Sequence, residues 1–177
     1  MNLQELLYKV NVLKVVGTTN VDVADIAFDS RKIKEDSLFV AVKGTQSDGH
    51  TYISQTIKAG ATVIVLEDMP SDLDDTITYI QVEDSNLALG IIAANFYDNP
   101  SEKIKLVGVT GTNGKTTIVS LLNQLFAMLN VKVGMLSTIQ NSIIDKIIPS
   151  THTTPDALQL NFLLNEMINA GCEYCFM

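Results

Sequence analysis

The sequence predicts an α/β fold with mostly parallel sheets, divided into an N-terminal unit over residues 1–99 and a second unit over 100–177. Three observations carry that expectation. Strand-like and helix-like segments alternate along the chain. The run Thr62-Val63-Ile64-Val65-Leu66 is β-branched and bounded by acids, as a buried strand is. A strand, a glycine-rich loop and a helix follow one another over residues 104–129, and a further strand completes a β-α-β unit.

Taken in order, Leu3, Leu6, Leu7 and Val10 recur at helical spacing and predict a short amphipathic helix. Val21 to Phe28 alternates loosely as a strand and ends in Asp29-Ser30-Arg31. Ser37 to Val42 is a compact apolar strand, and the polar, glycine-flanked stretch from Lys43 to His50 is a loop. Tyr52, Ile53, Thr56, Ile57 and Ala61 fall at helix spacing, with Gly60 near the helix end. Tyr79 to Val82 forms a short strand, and a helix capped by Asp84 or Ser85 runs to about Tyr97. Asp98-Asn99-Pro100-Ser101 has turn chemistry and stops the helical pattern, which sets the expected domain boundary. Beyond it come a strand at 104–109, a helix at 116–129 and a strand at 131–136. A hairpin is expected over 139–148, then a helix with Pro155 as its first residue and Gly171 at its close, then a final strand.

Composition narrows the function classes. The chain has 177 residues, 46% of them apolar and 18% charged, and a net charge of −8. That charge argues against nucleic-acid or membrane-surface partners, whose phosphates repel an acidic field. No apolar run approaches the roughly 18 residues that span a bilayer, and the N-terminus lacks signal-peptide character, so the cytoplasm is the default compartment. An acidic chain that binds an anion must do so with local donors. Cys172 and Cys175 lie in a strand-like segment without further zinc ligands at finger spacing, and they are expected to be reduced, buried cysteines.

The local donors come from Gly111-Thr112-Asn113-Gly114-Lys115-Thr116-Thr117, which reads as a P-loop for ATP. Glycines let backbone N–H groups approach phosphate oxygens, and the helix N-terminus adds oriented donors and partial positive charge. Lys115 is placed to neutralise the β and γ phosphates as the catalytic cation, and the Thr116 hydroxyl to coordinate Mg²⁺. One position departs from the common Gly-x-x-x-x-Gly-Lys-Ser/Thr pattern. Its first glycine is replaced by Val109, with glycines at 108 and 111 instead.

Gly108 to Thr117 resembles the variant P-loop of the Mur ligase family, whose glycine placement matches that departure. Asp29-Ser30-Arg31, the run Leu38 to Gly44 and Asp48-Gly49-His50 resemble the N-terminal uridine-nucleotide domain of one branch of the family. Thr153-Thr154-Pro155 is similar to a substrate-contacting loop of that branch, which adds the third residue of the peptidoglycan stem peptide. The resemblance implies an ATP- and Mg²⁺-dependent ligase. Such an enzyme joins a diamino acid, meso-diaminopimelate or L-lysine, to UDP-N-acetylmuramoyl-L-alanyl-D-glutamate through an acyl phosphate. It further implies that Gly111 to Thr117 bind ATP, that Phe28 and Ser30 contact the uridine end, and that Thr45, Gln46 and Ser47 form a second nucleotide-contacting loop. His152, Thr153 and Thr154 would meet the muramoyl dipeptide.

Blander readings stand beside these. Asp29-Ser30-Arg31 is also a common strand-to-turn sequence, Thr154 also a plausible helix cap, and His50 also a helix-start residue. Members of the family continue past the last strand into a Mg²⁺-binding glutamate segment, a carbamylated lysine and an amino-acid-selecting domain. The chain is therefore expected to be an inactive fragment of such a ligase. The alternatives are a non-catalytic UDP-sugar-binding fragment or a related ATP-dependent ligase such as folylpolyglutamate synthetase.

Overall fold

The computed structural model describes residues 1–44, 47–149 and 155–177, and the chain forms two compact units, Met1–Phe96 and Tyr97–Met177. In the first unit the order is α1 (Leu3–Leu6), β1 (Val12–Val16), β2 (Asp25–Ala27), β3 (Ser37–Val40), α2 (Ile53–Lys58), β4 (Ala61–Leu66), β5 (Thr78–Val82) and α3 (Ser85–Phe96). Its sheet has the strand order β1-β5-β4-β3-β2. The β2–β3, β3–β4 and β4–β5 pairs are parallel, and β1 joins the edge antiparallel to β5.

Alternate strand residues point to opposite faces, so a sheet buried on both sides must be apolar at nearly every position. The first sheet is. Phe39, Ile64, Leu66 and Tyr79 pack on one face with Ile53 of α2. Leu38, Val40, Val63, Val65 and Ile80 are fully buried on the other, the side left for α1 and α3, which contact each other. Asn95 of α3 fixes that contact by donating from Nδ2 to the carbonyls of Leu6 at 2.9 Å and Tyr8 at 2.7 Å.

The second unit runs β6 (Lys105–Val107), α4 (Lys115–Met128), β7 (Val133–Met135), β8 (Gln140–Ile143), β9 (Lys146–Pro149), α5 (Ala157–Asn169) and β10 (Tyr174–Phe176). Its sheet has the order β6-β10-β7-β8-β9, parallel across β6, β10 and β7 and antiparallel through β8 and β9. The hairpin expected over 139–148 is thus the β8–β9 pair. The sheets are mixed rather than mostly parallel in this unit, because the hairpin adds its own strands to the parallel set.

Helix α4 covers one face through Val119, which packs with Val133, Met135 and Phe176. Phe126 adds edge-to-face contacts to Tyr174 and Phe176, at centroid separations of 5.0 and 5.1 Å. Helix α5 covers the other face through Leu163, Leu164 and Met167, which pack with Cys172 and Cys175. The approach of α5 to the sheet is close enough to demand glycine at 134. A Cβ there would lie 2.3 Å from Met167 Sδ.

Two local expectations need correction. Pro155 is not the first residue of α5. Asp156 is the N-cap, its side chain accepting from Gln159 N at 2.8 Å, so Pro155 lies one residue before the cap. Strand β1 falls in a stretch without a strand pattern of its own, and the strand expected over 21–28 contracts to Asp25–Ala27. The two cysteines are free and buried as expected, and burial pushes the Cys175 thiol up to about 12, so it stays protonated and inert. Among the described residues no helix is long and apolar enough to cross a membrane.

Candidate functional site

Each unit carries a depression where parallel strands end at their carboxyl side, the place where open α/β sheets bind ligands. In the second unit the chain leaves β6 at Val107, passes through Gly108 to Gly114 and enters α4 at Lys115. Gly114 is the N-cap of α4, with φ 80° and ψ −5°. Nothing crowds a Cβ at that position, so glycine is required there by the left-handed backbone rather than by space. It has no side chain with which to cap the helix. The first-turn N–H groups of α4 are therefore left for an outside acceptor, on the end of the helix that favours an anion.

Lys115 Nζ folds back onto this loop, donating to the carbonyl of Gly111 and lying 3.5 Å from that of Thr112. The loop residues Gly111 to Lys115 and Thr117 are exposed, and Thr116 is half-buried. Lys115 and Thr116 share a cavity of about 170 Å³ with Val109, Val119, Ser137, Thr138, Pro155 and Met177. The neighbouring strand fixes the floor: Val109 N donates to Met177 O at 2.7 Å, and Met177 N donates to Val107 O at 3.0 Å. The predicted ATP-binding residues thus form one continuous loop around a helix N-terminus. Ser137 and Thr138 of the same cavity went unrecognised in the sequence, since they follow β7 and only the sheet order brings them there.

In the first unit Phe28 and Ser30 follow β2, while Gly44 and Ser47 follow β3. All four line one cleft of about 560 Å³, together with Asp29, Arg31, Gly49, Tyr52 and Gln55. Parallel pairing of β2 with β3 makes this convergence unavoidable, because their carboxyl ends lie side by side. Asp29 caps the turn at Ser30–Lys32 by accepting from Arg31 N at 3.0 Å. Its two oxygens also take Arg31 Nε at 2.9 Å and Nη2 at 2.8 Å in a forked pair. These bonds from Arg31 hold the Asp29 carboxyl down at about 2. Arg31 is itself 83% exposed and so is pinned in direction while open to solvent at the cleft. Ser47 Oγ lies 3.4 Å from the Tyr52 hydroxyl, which lines the same cleft.

Arg31, Tyr52 and Gln55 are lining residues that the sequence reading did not single out. Arg31 sits inside the quoted Asp29-Ser30-Arg31 motif and could have been found there. Tyr52 and Gln55 carry no local signal beyond helix spacing. Thr45 and Gln46, and likewise His152, Thr153 and Thr154, lie outside the described residues. His50 faces away from ligand duty, since both its ring nitrogens are engaged within the protein.

An α/β chain with a glycine-rich loop at a helix N-terminus in one unit and a polar cleft at the strand ends of the other belongs to the class of open-sheet α/β proteins. The comparisons narrow this class to one family. The Mur ligase family catalytic domain matches residues 22–97, and the Mur ligase middle domain matches residues 109–177. The chain belongs to the Mur ligase family. Over its whole length it is 55% identical to the UDP-N-acetylmuramoyl-L-alanyl-D-glutamate--2,6-diaminopimelate ligase of Cytophaga hutchinsonii, of which it covers 37%. It is 48% identical to the ligase of the same name from Bacteroides fragilis, of which it covers 36%. The chain therefore spans little more than a third of the length of the curated relatives it matches. A solved structure of such a diaminopimelate ligase shares the fold at a TM-score of 0.77 and 21% identity, over 99% of this chain and 35% of that one. A MurF ligase from Thermotoga maritima, solved in complex with ADP, matches at a TM-score of 0.57 and 28% identity, over 87% of this chain and 31% of that one.

Proposed function

We propose that this chain supplies the uridine-nucleotide cleft and the ATP-phosphate loop of a ligase that extends UDP-N-acetylmuramoyl-L-alanyl-D-glutamate by one diamino acid. The names of the relatives favour 2,6-diaminopimelate as that amino acid. The observation that carries the reading is the convergence of Phe28, Ser30 and Ser47 in a single cleft, in a chain whose other unit holds an intact P-loop.

In the reaction a substrate carboxylate attacks the γ-phosphorus of ATP, ADP leaves, and an acyl phosphate forms. The amine of the incoming amino acid then attacks the acyl carbon and expels phosphate, so that one amide forms and one proton is released. Bringing two polyanions together is the electrostatic problem, and the loop answers it. The free N–H groups at the start of α4 donate to phosphate oxygens, and Lys115 exchanges the carbonyls of Gly111 and Thr112 for the β and γ phosphates. The ligand set suits Mg²⁺. Thr116 lines the same cavity as Lys115, and Mg²⁺ commonly takes only one or two protein oxygens beside phosphates and water. When bound there it would neutralise phosphate charge. In the first unit Ser30 and Ser47 hydrogen-bond the uridine end of the substrate while Phe28 supplies an apolar wall, and Thr45 and Gln46 are proposed to contact the nucleotide as well. His152, Thr153 and Thr154 are proposed to meet the muramoyl dipeptide.

Ligand binding separates this reading from a folylpolyglutamate synthetase. Calorimetric titration with UDP-N-acetylmuramoyl-L-alanyl-D-glutamate and with a folate is expected to show saturable binding of the first alone. Ser30→Ala is expected to weaken that binding roughly 5- to 10-fold, the loss of one hydrogen bond at about 1–1.5 kcal/mol. Binding of folate with no response to the uridine compound would refute the assignment.

A further inference from the structure

We propose that His50 is a positioning residue of the uridine-side cleft, a neutral imidazole that fastens the loop carrying Ser47 to the end of β4. The proposal rests on the reading of that cleft as a uridine-nucleotide site. Nδ1 of His50 lies 2.6 Å from Asp48 Oδ1. Nε2 lies 3.0 Å from Glu67 N and 3.2 Å from Asp68 N. Backbone amides only donate, so Nε2 must be the bare, accepting nitrogen, and the single ring proton belongs on Nδ1, donated to Asp48. The partners thus select both the tautomer and the charge state.

A helix-start role would need much less. Asp48 already caps the Gly49–Tyr52 turn by accepting from His50 N at 3.0 Å, and that bond leaves the ring unused. The ring instead crosses 17 residues of sequence to reach the amides just past β4. Among the described residues, the loop it secures is also held by the Lys43–Asp48 bridge, by Gly49 N donating to Val42 O at 2.9 Å, by Gly44 N donating to Ser47 O at 3.1 Å, by Ser47 Oγ at 3.4 Å from the Tyr52 hydroxyl, and at Lys43 by Ser85 and Asn86, but none of these ties reaches the end of β4. Gly44, Ser47 and Gly49, all in this loop, line the cleft.

The charged groups around the ring are already committed elsewhere. Glu67 accepts from Ser85 N at 2.9 Å and Ser85 Oγ at 2.7 Å, which holds its carboxyl below the usual range. Lys43 Nζ lies between Glu67 at 3.2 Å and Asp68 at 2.6 Å. The carboxylates of Glu67 and Asp68 are thus bound to Lys43 and Ser85, and it is their main-chain N–H groups that depend on the ring. Without it those two amides lose their acceptor, and the Asp48 carboxylate loses its tie to β4.

Two substitutions separate the halves of the clamp. The carboxamide oxygen of His50→Gln reaches the place of Nε2 and keeps the acceptor for β4. The shorter amide of His50→Asn reaches the place of Nδ1 and keeps only the donor to Asp48. His50→Ala keeps neither. Long-range ¹H–¹⁵N spectra of the wild-type chain without ligand are expected to show the ring proton on Nδ1. Backbone ¹⁵N order parameters at Gly44, Ser47 and Gly49 are expected to fall in His50→Ala and His50→Asn and to recover in His50→Gln. Titration with UDP-N-acetylmuramoyl-L-alanyl-D-glutamate is expected to show Kd raised roughly 10-fold or more by His50→Ala and within about 3-fold of wild type for His50→Gln, with ATP affinity unchanged in both. A ring proton on Nε2, loop order identical in wild type and His50→Ala, or a loosened loop with unaltered Kd would each overturn the clamp. Should His50→Ala fail to fold, the wild-type tautomer and the Gln and Asn pair still decide it. Loop loosening as described in a wild-type chain that does not bind the uridine compound would support the clamp and refute the assignment of the cleft.

Discussion

Asp29 and Arg31 show how much one side chain can organise. Asp29 accepts the turn N–H and both edges of the guanidinium, so a single carboxylate shapes the turn and aims a cation at the cleft. Its carboxyl is lower in the folded chain, at about 2, than the roughly 3.9 of an unfolded aspartate. A depressed carboxyl adds stability that is fully present above the unfolded value and is lost as pH falls through the folded one. The difference in Tm between wild type and Asp29→Asn is therefore expected to stay level from neutral pH to about 4.5 and to shrink toward zero near pH 2. Melting curves across that range check it, and a difference undiminished at pH 2 would assign the effect to something other than the ionised pair. Ser30 and Phe28 were legible in the sequence because they stand in or beside a motif. Tyr52 and Gln55 were not, since they reach the cleft only through the packing of α2 against β4 and the turn beside it.

At the scale of elements, strength of local pattern decides what can be read. Strand β4 is six consecutive residues, nearly all fully buried, and helix α3 is followed by a proline turn, so both were plain. Strand β1 was missed because it has no alternation to show. Leu13, Lys14 and Val15 are all exposed, and β1 exists through its antiparallel pairing with β5 at the sheet edge. Helix α5 starts two residues after Pro155 because Asp156, as the N-cap, satisfies its first turn. The packing of α5 yields a prediction of its own. With Met167 Sδ 2.3 Å from a Cβ at 134, Gly134→Ala forces the thioether out of its place at a cost of about 1–3 kcal/mol. Met167→Ala creates a cavity and costs about 2–5 kcal/mol alone. The double substitution is expected to cost less than the sum of the two, because the methyl enters the vacated space. Denaturant titrations of the four proteins test this, and strict additivity would show that β7 and α5 do not meet there.

On the scale of the whole molecule the charge and the sites appear opposed, for a chain of net charge −8 is read as binding two polyanions. The resolution is local. The P-loop presents the unpaired N–H groups of a 14-residue helix and the Lys115 ammonium, and the other unit presents Arg31 and neutral hydroxyls. The P-loop was the most legible feature of the sequence because its chemistry is written in consecutive residues. The cleft needed family resemblance to be noticed, since its walls come from separate strand ends. The central claim is that these are two independent nucleotide sites in one chain, and isothermal titration tests it most directly. ATP with Mg²⁺ and UDP-N-acetylmuramoyl-L-alanyl-D-glutamate are titrated separately into the wild-type chain and into Lys115→Ala. Both ligands are predicted to bind the wild type, and the substitution is predicted to weaken ATP at least 10-fold, about 1.4 kcal/mol, while leaving the uridine compound unchanged. ATP affinity untouched by the loss of Lys115, or equal loss of both ligands, would contradict it.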